Sequence, residues 1–550
     1  MNKYLFTFLT SYYILSSSLV FSQEISLTLK TKDSTDSKIL PSIKYIKKHT
    51  NIKKLNLHLD SLSKQLKREG YFYNQIDSLK KNKEGFDAFL TLGQKIDSIK
   101  LSIPINTQNT LQTQQKEKTI HISNLEKFID NINFNLEKKG SPFSKLSLED
   151  IQKKDKQITV TLRIKESRKR KINNIIIKGY EKFPKKFLKH FLKINNSTLY
   201  NKDKVNKISE ALNGIEFIKQ IKKPDILFSK DSTILYLYLR KIRSNNFDGI
   251  LNLTPSDNGD LNFSGNINLK LNNILNSGET FHLTWNANGN ERQNINVLLK
   301  IPFIFNSPLS TETSLNIYNE ENSFSNSKFK NSLTYKLSPK IDIGASLESE
   351  TSVNLLSNNA ETIENFNTTL FGGQLTYLTL IEHEIFKKKL FLKTSYLFGD
   401  RQQTNSKKVN QNKLFIEASY LYQINNRNFL FLRNESALIN SSSFLNNELY
   451  RIGGPNSLRG FDQQSIFTSK YSYLNGEYRF LTSSKSYLYS IFDIGIIDNP
   501  FSIQQNAIGY GIGYFFKKNN SSFNISLASS NSNLNKTNIL NLSVSYINFF

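Results

Sequence analysis

Cysteine is absent from this chain of 550 residues. Without thiols the protein has no disulfide framework, and it lacks the cysteine to which lipid is attached in lipoproteins. Zinc–thiolate and iron–sulfur sites take their ligands from cysteine and are excluded for the same reason. The absence therefore removes lipid-anchored, disulfide-stapled and thiolate-metal proteins from consideration.

Long apolar runs are also scarce, and the one example lies at the N-terminus. Lys3 supplies a positive start, and residues 5–21 are apolar and rich in hydroxyl groups. The residues before Gln23 suit a cleavage site, so residues 1–22 are predicted to be a secretory signal peptide. No later apolar run is long enough for a membrane helix. Any membrane span must then be a β-barrel, which also satisfies every backbone polar group in lipid.

Acidic residues are outnumbered, with 46 Asp and Glu against 73 Lys and Arg, and the net charge is +27. Such an excess could favour nucleic acid. The lysines are scattered, however, and the runs at residues 153–156 and 168–171 are typical of solvated faces of soluble domains. We therefore expect no nucleic-acid partner, and attraction to anionic lipid is the better use of this charge.

Catalytic patterns are lacking as well. The six histidines are dispersed without a His-Glu-x-x-His pair, and no Gly-x-Ser-x-Gly elbow occurs. Gly509, Gly511 and Gly513 imitate the spacing of a phosphate-binding loop, but the sequence predicts a strand there and no helix after it. We expect that the protein is not an enzyme, and we predict no cofactor, no metal site and no catalytic residue.

The front half of the chain alternates helical and strand patterns at a spacing of roughly 70 residues, which is typical of an array of small domains. Three units are predicted, over residues 23–97, 98–168 and 169–244. In the third, a strand and two helices precede a strand pair at residues 225–229 and 233–241. This β-α-α-β-β order resembles a polypeptide-transport-associated (POTRA) domain.

The first two units show the second helix and the later strands of the same pattern. The first helix of the second unit is not evident in residues 106–118. We interpret the apolar residues of all three units as core. Function is assigned instead to the exposed edge of each small sheet, which can accept an extended client chain by β-augmentation.

Residues 245–550 alternate in short strands and are predicted to form a sixteen-stranded antiparallel transmembrane β-barrel, with spans of about 9–11 residues. Stretches 423–427 and 483–486 suit periplasmic turns, and the longer polar stretches 354–367 and 399–412 suit external loops. The last strand places apolar residues on one face and mostly polar residues on the other, as expected between lipid and a polar lumen. Its apolar face comprises Leu540, Leu542, Val544, Tyr546 and Phe550.

A specific motif, Arg459-Gly460-Phe461, lies in the long polar connection from residue 440 to residue 468. Glu477 and Asp493, on the two next strands, lie opposite outward apolar residues and are predicted to face the lumen. A guanidinium has a rigid fork of donors and can clamp carboxylates. The combination resembles the BamA/TamA-type family of outer-membrane assembly factors, in which an arginine-bearing loop folds back into the barrel.

The resemblance implies that Arg459, Gly460 and Phe461 enter the barrel and that Arg459 pairs with Glu477 and Asp493. It also implies insertion or translocation of other outer-membrane proteins without ATP, by a protein of the outer membrane whose N-terminal domains lie in the periplasm. The implied partners are unfolded outer-membrane client proteins, outer-membrane lipid and periplasmic accessory proteins.

Clients are expected to add strands at a weak lateral seam between the first strand, residues 247–254, and the last, residues 541–550. Phe247 and Phe550 belong to these two strands, and Gly249 weakens the pairing of the first.

The alternative is a two-partner secretion transporter, which exports one dedicated exoprotein through a related barrel. Such a protein normally has two POTRA domains and a plug helix before them, and residues 24–54 could contain a short helix. A plain porin or receptor is a third class, but it would need neither the repeated soluble domains nor the Arg459 motif.

Overall fold

The computed structural model describes residues 24–83, 85–154, 157–255, 261–288, 292–320, 323–356, 362–404, 408–502, 505–532 and 540–550. The predicted signal peptide lies outside these residues. Within them, no helix combines the length and the apolar character needed to cross a bilayer. Three small sheets with helices precede a closed barrel of sixteen strands. The predicted fold class, α+β domains followed by a sixteen-stranded barrel, is confirmed.

The first domain is a four-stranded sheet covered by helices. Its elements are β1 (Ile25–Lys30), α1 (Ser34–Ile39), β2 (Lys48–His49), α2 (Ile52–Arg68), β3 (Gln75–Lys81) and β4 (Gly85–Thr91). The strand order is β2-β1-β4-β3, with β1 parallel to β4. Helix α2 packs on the sheet because Leu55, Leu59, Leu62 and Leu66 recur at helical spacing and are buried. Asn51 caps this helix by accepting the Lys54 backbone N–H at 2.9 Å.

The second domain repeats this arrangement. Its elements are β5 (Ser98–Ser102), α3 (Ile105–Leu111), β6 (Glu117–His121), α4 (Ile122–Lys138), β7 (Lys145–Lys154) and β8 (Gln157–Lys165). The strand order is β6-β5-β8-β7. Helix α3, which the sequence did not reveal, has only seven residues, and Thr107 is its one buried residue. A helix this short carries no apolar stripe that a period could detect.

The third domain has a sheet of three strands. Its elements are β9 (Asn174–Lys178), α5 (Lys185–His190), α6 (Lys202–Leu212), β10 (Ile218–Phe228) and β11 (Thr233–Lys241). The strand order is β10-β11-β9, with β9 parallel to β11. The strand predicted at residues 225–229 begins earlier, because its ladder continues through register shifts between Gln220 and Asp225.

The edges of the three sheets differ in a way that the sequence did not predict. In the first two domains a short strand, β2 or β6, lies between the helices and pairs antiparallel with the first strand of the sheet. In the third domain the segment between the helices forms no strand among the described residues and makes a backbone hydrogen bond only ahead of β9, from the Ile172 N–H to the Thr198 carbonyl at 2.7 Å, so β9 is an edge strand. The expected β-α-α-β-β order therefore holds in full only for the third domain.

The barrel closes by antiparallel pairing of each wall strand with the next and of the last with the first. The strands from residue 246 onward are β12 (Asn246–Pro255), β13 (Leu261–Asn272), β14 (Thr280–Asn288), β15 (Arg292–Ile301), β16 (Leu309–Glu320), β17 (Phe324–Ser338), β18 (Ile341–Asn354), β19 (Phe366–Leu380), β20 (Lys388–Gln403), β21 (Val409–Gln423), β22 (Asn428–Ser441), β23 (Tyr450–Ile452), β24 (Ile466–Thr468), β25 (Lys470–Ser483), β26 (Ser486–Asp498), β27 (Gln505–Lys518), β28 (Ser521–Ser532) and β29 (Leu540–Phe549). Two of them, β23 and β24, pair with each other in the loop between β22 and β25 and are not part of the wall.

The third domain contacts one end of the barrel and thereby distinguishes the two rims. The Phe187 ring packs edge-on against Phe303, with centroids 5.0 Å apart, and Lys186 Nζ donates to the Pro302 carbonyl at 2.9 Å. Both partners lie in the short β15–β16 turn. The short turns predicted near residues 423–427 and 483–486 lie at this same end, because strands alternate in direction. The β22–β25 loop is at the opposite end.

The alternation of side chains along each strand determines which residues lie on the outer face of the barrel. On β29 the predicted apolar residues are exposed, and on β27 the outward positions are Ile508, Tyr510, Ile512 and Tyr514. Apolar side chains that no protein covers, repeated around a closed barrel, form the surface that lipid requires. The barrel is therefore an integral membrane structure.

The prediction of an external loop over residues 399–412 is wrong. Strand β20 continues to Gln403 and β21 begins at Val409. Three of the polar residues that suggested a loop, Arg401, Gln403 and Gln411, are buried. Their polarity reflects partners inside the barrel and not exposure to water.

The lipid-facing assignment predicts the effect of a charge on β27. Ile512→Arg should destabilise the barrel by about 2–4 kcal/mol if the residue lies near the bilayer midplane, since a guanidinium there must leave water. The folded fraction in liposomes, measured by heat-dependent gel mobility against urea, reports this loss. Ile512→Leu is the matched control and should behave as wild type. An unchanged urea midpoint for Ile512→Arg would contradict the assignment.

Candidate functional site

The site is built on the loop between β22 and β25, residues 442–469, which folds back into the barrel. Glu477 and Asp493 lie on β25 and β26, opposite the exposed side chains of Tyr478 and Phe492, so both carboxylates are on the lumen side. Arg459 of the loop is bound to these carboxylates. The loop tip is therefore inside the barrel.

Arg459 clamps two wall strands together. Its Nε donates to Asp493 Oδ2 at 2.9 Å, its Nη2 to Asp493 Oδ1 at 2.5 Å, and its Nη1 to Glu477 Oε1. The Arg459 backbone N–H adds a bond to Asp493 Oδ2 at 2.9 Å. Arg479 donates from Nε to Glu477 Oε2 at 2.8 Å, so two arginines balance two carboxylates. Arg459 is 9% exposed and Asp493 is 0% exposed, so the pair is shielded from solvent screening.

Two glycines allow the tip to lie directly on the wall. A Cβ on Gly460, which has φ +90°, would be 2.4 Å from the Ser529 carbonyl carbon on β28. A Cβ on Gly509 of β27 would be 2.2 Å from the Arg459 carbonyl oxygen. Neither position has room for a side chain. The sequence predicts that Gly509 points inward, and its contact with Arg459 is the reason that a glycine is needed there. Asn541 of β29 donates to the Gly460 carbonyl at 2.9 Å.

Apolar side chains of the loop also pack against the barrel wall. Phe461 is buried, as are Ile452, Leu458 and Ile466, and these four pack in one cluster with wall residues. The wall residues of the cluster are Ala437, Tyr471, Tyr473, Ile497 and Ala507. The loop is thus held by packing as well as by charge.

The predicted seam is the weakest joint of the barrel. Strands β12 and β29 pair only through Asn246 with Phe549 and Phe247 with Asn548 within the described residues. The Phe550 N–H adds a bond to the Asn245 carbonyl at 3.0 Å. By contrast, β12 pairs with β13 along its whole length. Gly249 pairs with Ile267 of β13 and has no partner on β29, so the described ladder ends before it.

A second set of buried charges was not found from the sequence. Arg401 of β20 contacts Glu448 at the start of the loop, and Lys413 Nζ of β21 lies 3.0 Å from Glu348 Oε1 and 3.1 Å from Glu350 Oε2. The available signal was the period of two in the polar residues, with Arg401 beside Gln403 and Glu348 beside Glu350. The pattern at Arg401 and Gln403 was interpreted as an external loop, and the pattern at Glu348 and Glu350 was not used.

Comparison with known proteins agrees with this architecture. Residues 170–239 match the POTRA family, described as the surface antigen variable number repeat. That segment covers the third domain. The chain joins POTRA-type domains to an outer-membrane barrel. The predicted resemblance is confirmed, and no curated protein matches the sequence.

Two CdiB structures share the fold at low sequence identity, and a BamA structure matches more distantly. CdiB from Acinetobacter baumannii is 15% identical with a TM-score of 0.52, over 90% of this chain and 97% of that chain. CdiB from Escherichia coli is 13% identical with a TM-score of 0.52, over 89% and 97%. BamA from Haemophilus ducreyi lacking POTRA domains 1–3 is 12% identical with a TM-score of 0.44, over 80% and 95%.

The clamp predicts a specific defect for Arg459→Ala. Removing one partner of a buried charge pair costs about 3–5 kcal/mol because the other charges stay buried. We expect the loop around Arg459 to detach from the barrel wall, while the backbone hydrogen bonds between the wall strands remain. A single cysteine at Leu458, introduced into the cysteine-free chain, should become reactive to maleimide in Arg459→Ala and stay protected with Arg459 present.

Activity and barrel folding should respond differently to this change. Arg459→Ala should impair the expected assembly activity, insertion of client proteins, far more than it lowers the amount of heat-modifiable barrel. Charge reversal of Glu477 or Asp493 should have the same effect. Arg427, exposed in a turn at the opposite end, supplies the control Arg427→Ala. Full activity of Arg459→Ala at normal protein levels would show that the clamp is dispensable.

Proposed function

We propose that this protein inserts or translocates client proteins at the outer membrane, and that clients enter through the lateral seam between β12 and β29. The observation that carries the proposal is the short ladder between these strands, Asn246 with Phe549 and Phe247 with Asn548. Beyond those pairs the facing edges of the two strands have no ladder partner in the described residues. Unpaired backbone groups are costly in lipid, so a client strand that pairs with them is stabilised as it enters.

The third domain offers a place to receive an extended client before it reaches the barrel. Strand β9 is an edge strand, whereas β6 pairs along β5 in the second domain and β2 pairs with the start of β1 in the first. A groove next to β9 is lined by Ile175, Leu188 and Ile194 and flanked by Lys185 and Lys189. Main-chain hydrogen bonds to the edge, with apolar side chains in the groove, are the usual mode of strand addition. We assign client capture to this edge.

The function requires no catalysis. Strand exchange trades backbone hydrogen bonds of one ladder for those of another, so the net free energy can stay small while the client gains its final pairing. We propose a non-enzymatic protein whose partners are unfolded outer-membrane proteins, outer-membrane lipid and periplasmic accessory proteins.

The second candidate is two-partner secretion, the class of the CdiB transporters, and the shared fold favours it. The segment in which a plug helix was considered, residues 24–54, forms β1, α1 and β2 of the first domain. Its helix α1 has six residues and lies within that domain. This observation, together with three domains instead of two, supports insertion over dedicated secretion.

The seam predicts that a covalent lock abolishes activity. Phe247 and Asn548 are directly opposed, and the Cα separation of about 4.5–5.5 Å in such pairs suits a disulfide. The double variant Phe247→Cys/Asn548→Cys should be inactive when oxidised and active when reduced, in an assay of client insertion into liposomes.

The matched control is Leu269→Cys/Leu283→Cys, which joins the opposed residues of β13 and β14. This lock should leave insertion unchanged in both redox states. If the oxidised seam variant still inserts clients, lateral entry is wrong. If it also still exports a single partner protein, two-partner secretion becomes the better function. Loss of many outer-membrane proteins on depletion, in place of one secreted protein, would separate the two candidates independently.

The capture edge makes a separate prediction. A photo-reactive residue at Lys178 on β9 should crosslink to a purified outer-membrane barrel protein presented unfolded from urea. The same residue at Lys48 should not, because β2 has only two residues and offers almost no ladder. Equal crosslinking at both positions would contradict capture at β9.

A further inference from the structure

The loop that carries Arg459 has a second attachment at its other end, at Arg401 and Glu448. Arg401 of β20 is 0% exposed and Glu448 is buried with it. The Arg401 Nη1 donates to Glu448 Oε1, and its Nη2 donates to Ser443 Oγ at 2.7 Å. Gln411 Nε2 of β21 donates to the other carboxylate oxygen of Glu448 at 2.9 Å. Arg401, Gln411, Ser443 and Glu448 together form the base anchor of the loop.

The residue before Glu448 ties the loop to further strands. Asn447 Nδ2 donates to Ser352 Oγ of β18 at 2.7 Å and to the Glu364 carbonyl at 2.8 Å. Asn326 Nδ2 of β17 donates to the Asn447 carbonyl. Asn447 is 0% exposed, so these bonds take the place of water at its side-chain NH₂ group and its backbone carbonyl. The loop start is therefore built into the wall from β17 to β21.

Arg451 extends the attachment by one more strand. Its guanidinium lies 3.8 Å from the ring centroid of Tyr318 on β16 and 5.2 Å from that of Phe324 on β17. Such cation–π contacts are stronger when they are shielded from water. Arg451 also donates from Nη2 to the Asn447 carbonyl at 3.3 Å, which joins it to the start of the loop.

The two attachments lie on different parts of the closed wall. The base anchor and its neighbours occupy β16 to β21, whereas Arg459 binds β25 and β26 and its neighbour Gly460 contacts β28 and β29. The chain between Glu448 and Arg459 thus connects the two parts from inside the barrel. A segment fixed at both ends acts as a crossbar at the rim opposite the third domain.

We propose that Arg401 and Glu448 are positioning residues that hold this crossbar independently of the Arg459 clamp. The base anchor keeps the loop across the outer opening of the barrel even when Arg459 and Gly460 detach from the wall. The Arg459 clamp keeps these two residues next to β28 and β29, the strands at the seam. Opening of the mouth and release of the tip are then controlled by different charge pairs. This inference rests on the placement of the loop and not on the proposed function, so it holds for client insertion and for two-partner secretion alike.

Two buried probe positions in the full-length protein distinguish the ends of the crossbar. Leu449 lies beside the base anchor and Leu458 beside the clamp, and both are buried. Single cysteines at these positions are labelled with maleimide in intact membranes. Arg401→Gln should raise the labelling rate at Leu449→Cys by about tenfold or more, because Glu448 loses its ion-pair partner. It should change the rate at Leu458→Cys by less than about twofold, because distant sites are energetically independent.

The reverse pattern is expected for Arg459→Ala, and ion conductance in planar bilayers gives a second readout. Arg401→Gln should increase large openings about tenfold relative to wild type, whereas Arg459→Ala alone should raise them much less. Arg401→Lys keeps the charge without the fork and should be intermediate. Arg427→Gln, at the other end of the barrel, should match wild type in both assays.

Several results would overturn the proposal. Unchanged labelling at Leu449→Cys and unchanged conductance in folded Arg401→Gln would show that the pair does not hold the loop. Equal responses of both probes to either variant would show that the loop moves as one unit. If Arg401→Gln does not fold, Glu448→Gln and Arg401→Lys test the same points, and wild-type labelling and conductance in both would reject it.

Discussion

Backbone polar groups have no water to bond in the bilayer, and this constraint governs the barrel half of the chain. Fifteen of its sixteen joints satisfy the constraint with extended ladders, as β12 and β13 do. The joint between β12 and β29 is the exception, with two described pairs. A closed barrel with one short ladder has a defined place where it can open, and the proposed lateral entry of a client depends on that place.

The interior is organised by a second constraint, the cost of burying charge. Arg459, Arg401 and Lys413 are each buried against carboxylates from neighbouring strands or from the loop. Unpaired, each would be strongly destabilising. Paired and hydrogen-bonded, Lys413 joins wall strands, whereas Arg401 and Arg459 fix one arrangement of the loop. The buried cations are thus matched by buried carboxylates, and the pairs made by Arg401 and Arg459 specify the position of the loop.

The period of two along the strands predicted the barrel wall, and the Arg459-Gly460-Phe461 motif predicted the clamp. Features that depend on residues distant in sequence were missed. Alternation placed Leu542 and Ile512 toward lipid, and inward carboxylates were assigned at Glu477 and Asp493. Residues around Arg401 were interpreted as a loop because polarity normally means solvent, and only the folded-back loop makes them interior. The strands β2 and β6 were missed because two or five residues carry no period, and their role is to cover an edge that the third domain leaves open.

The two candidate routes for a client require different joints to break. Opening the seam removes two described ladder pairs, and a client strand that adds to the open edges replaces their hydrogen bonds. Clearing the lumen requires displacement of a loop held by Arg459 and Arg401, and separating either buried charge from its partner costs about 3–5 kcal/mol. Asn541 joins the tip to the last strand through one bond to Gly460, so the seam can open with little disturbance of the clamp. The seam is the weaker joint by this comparison, and lateral entry is the route that the arrangement favours.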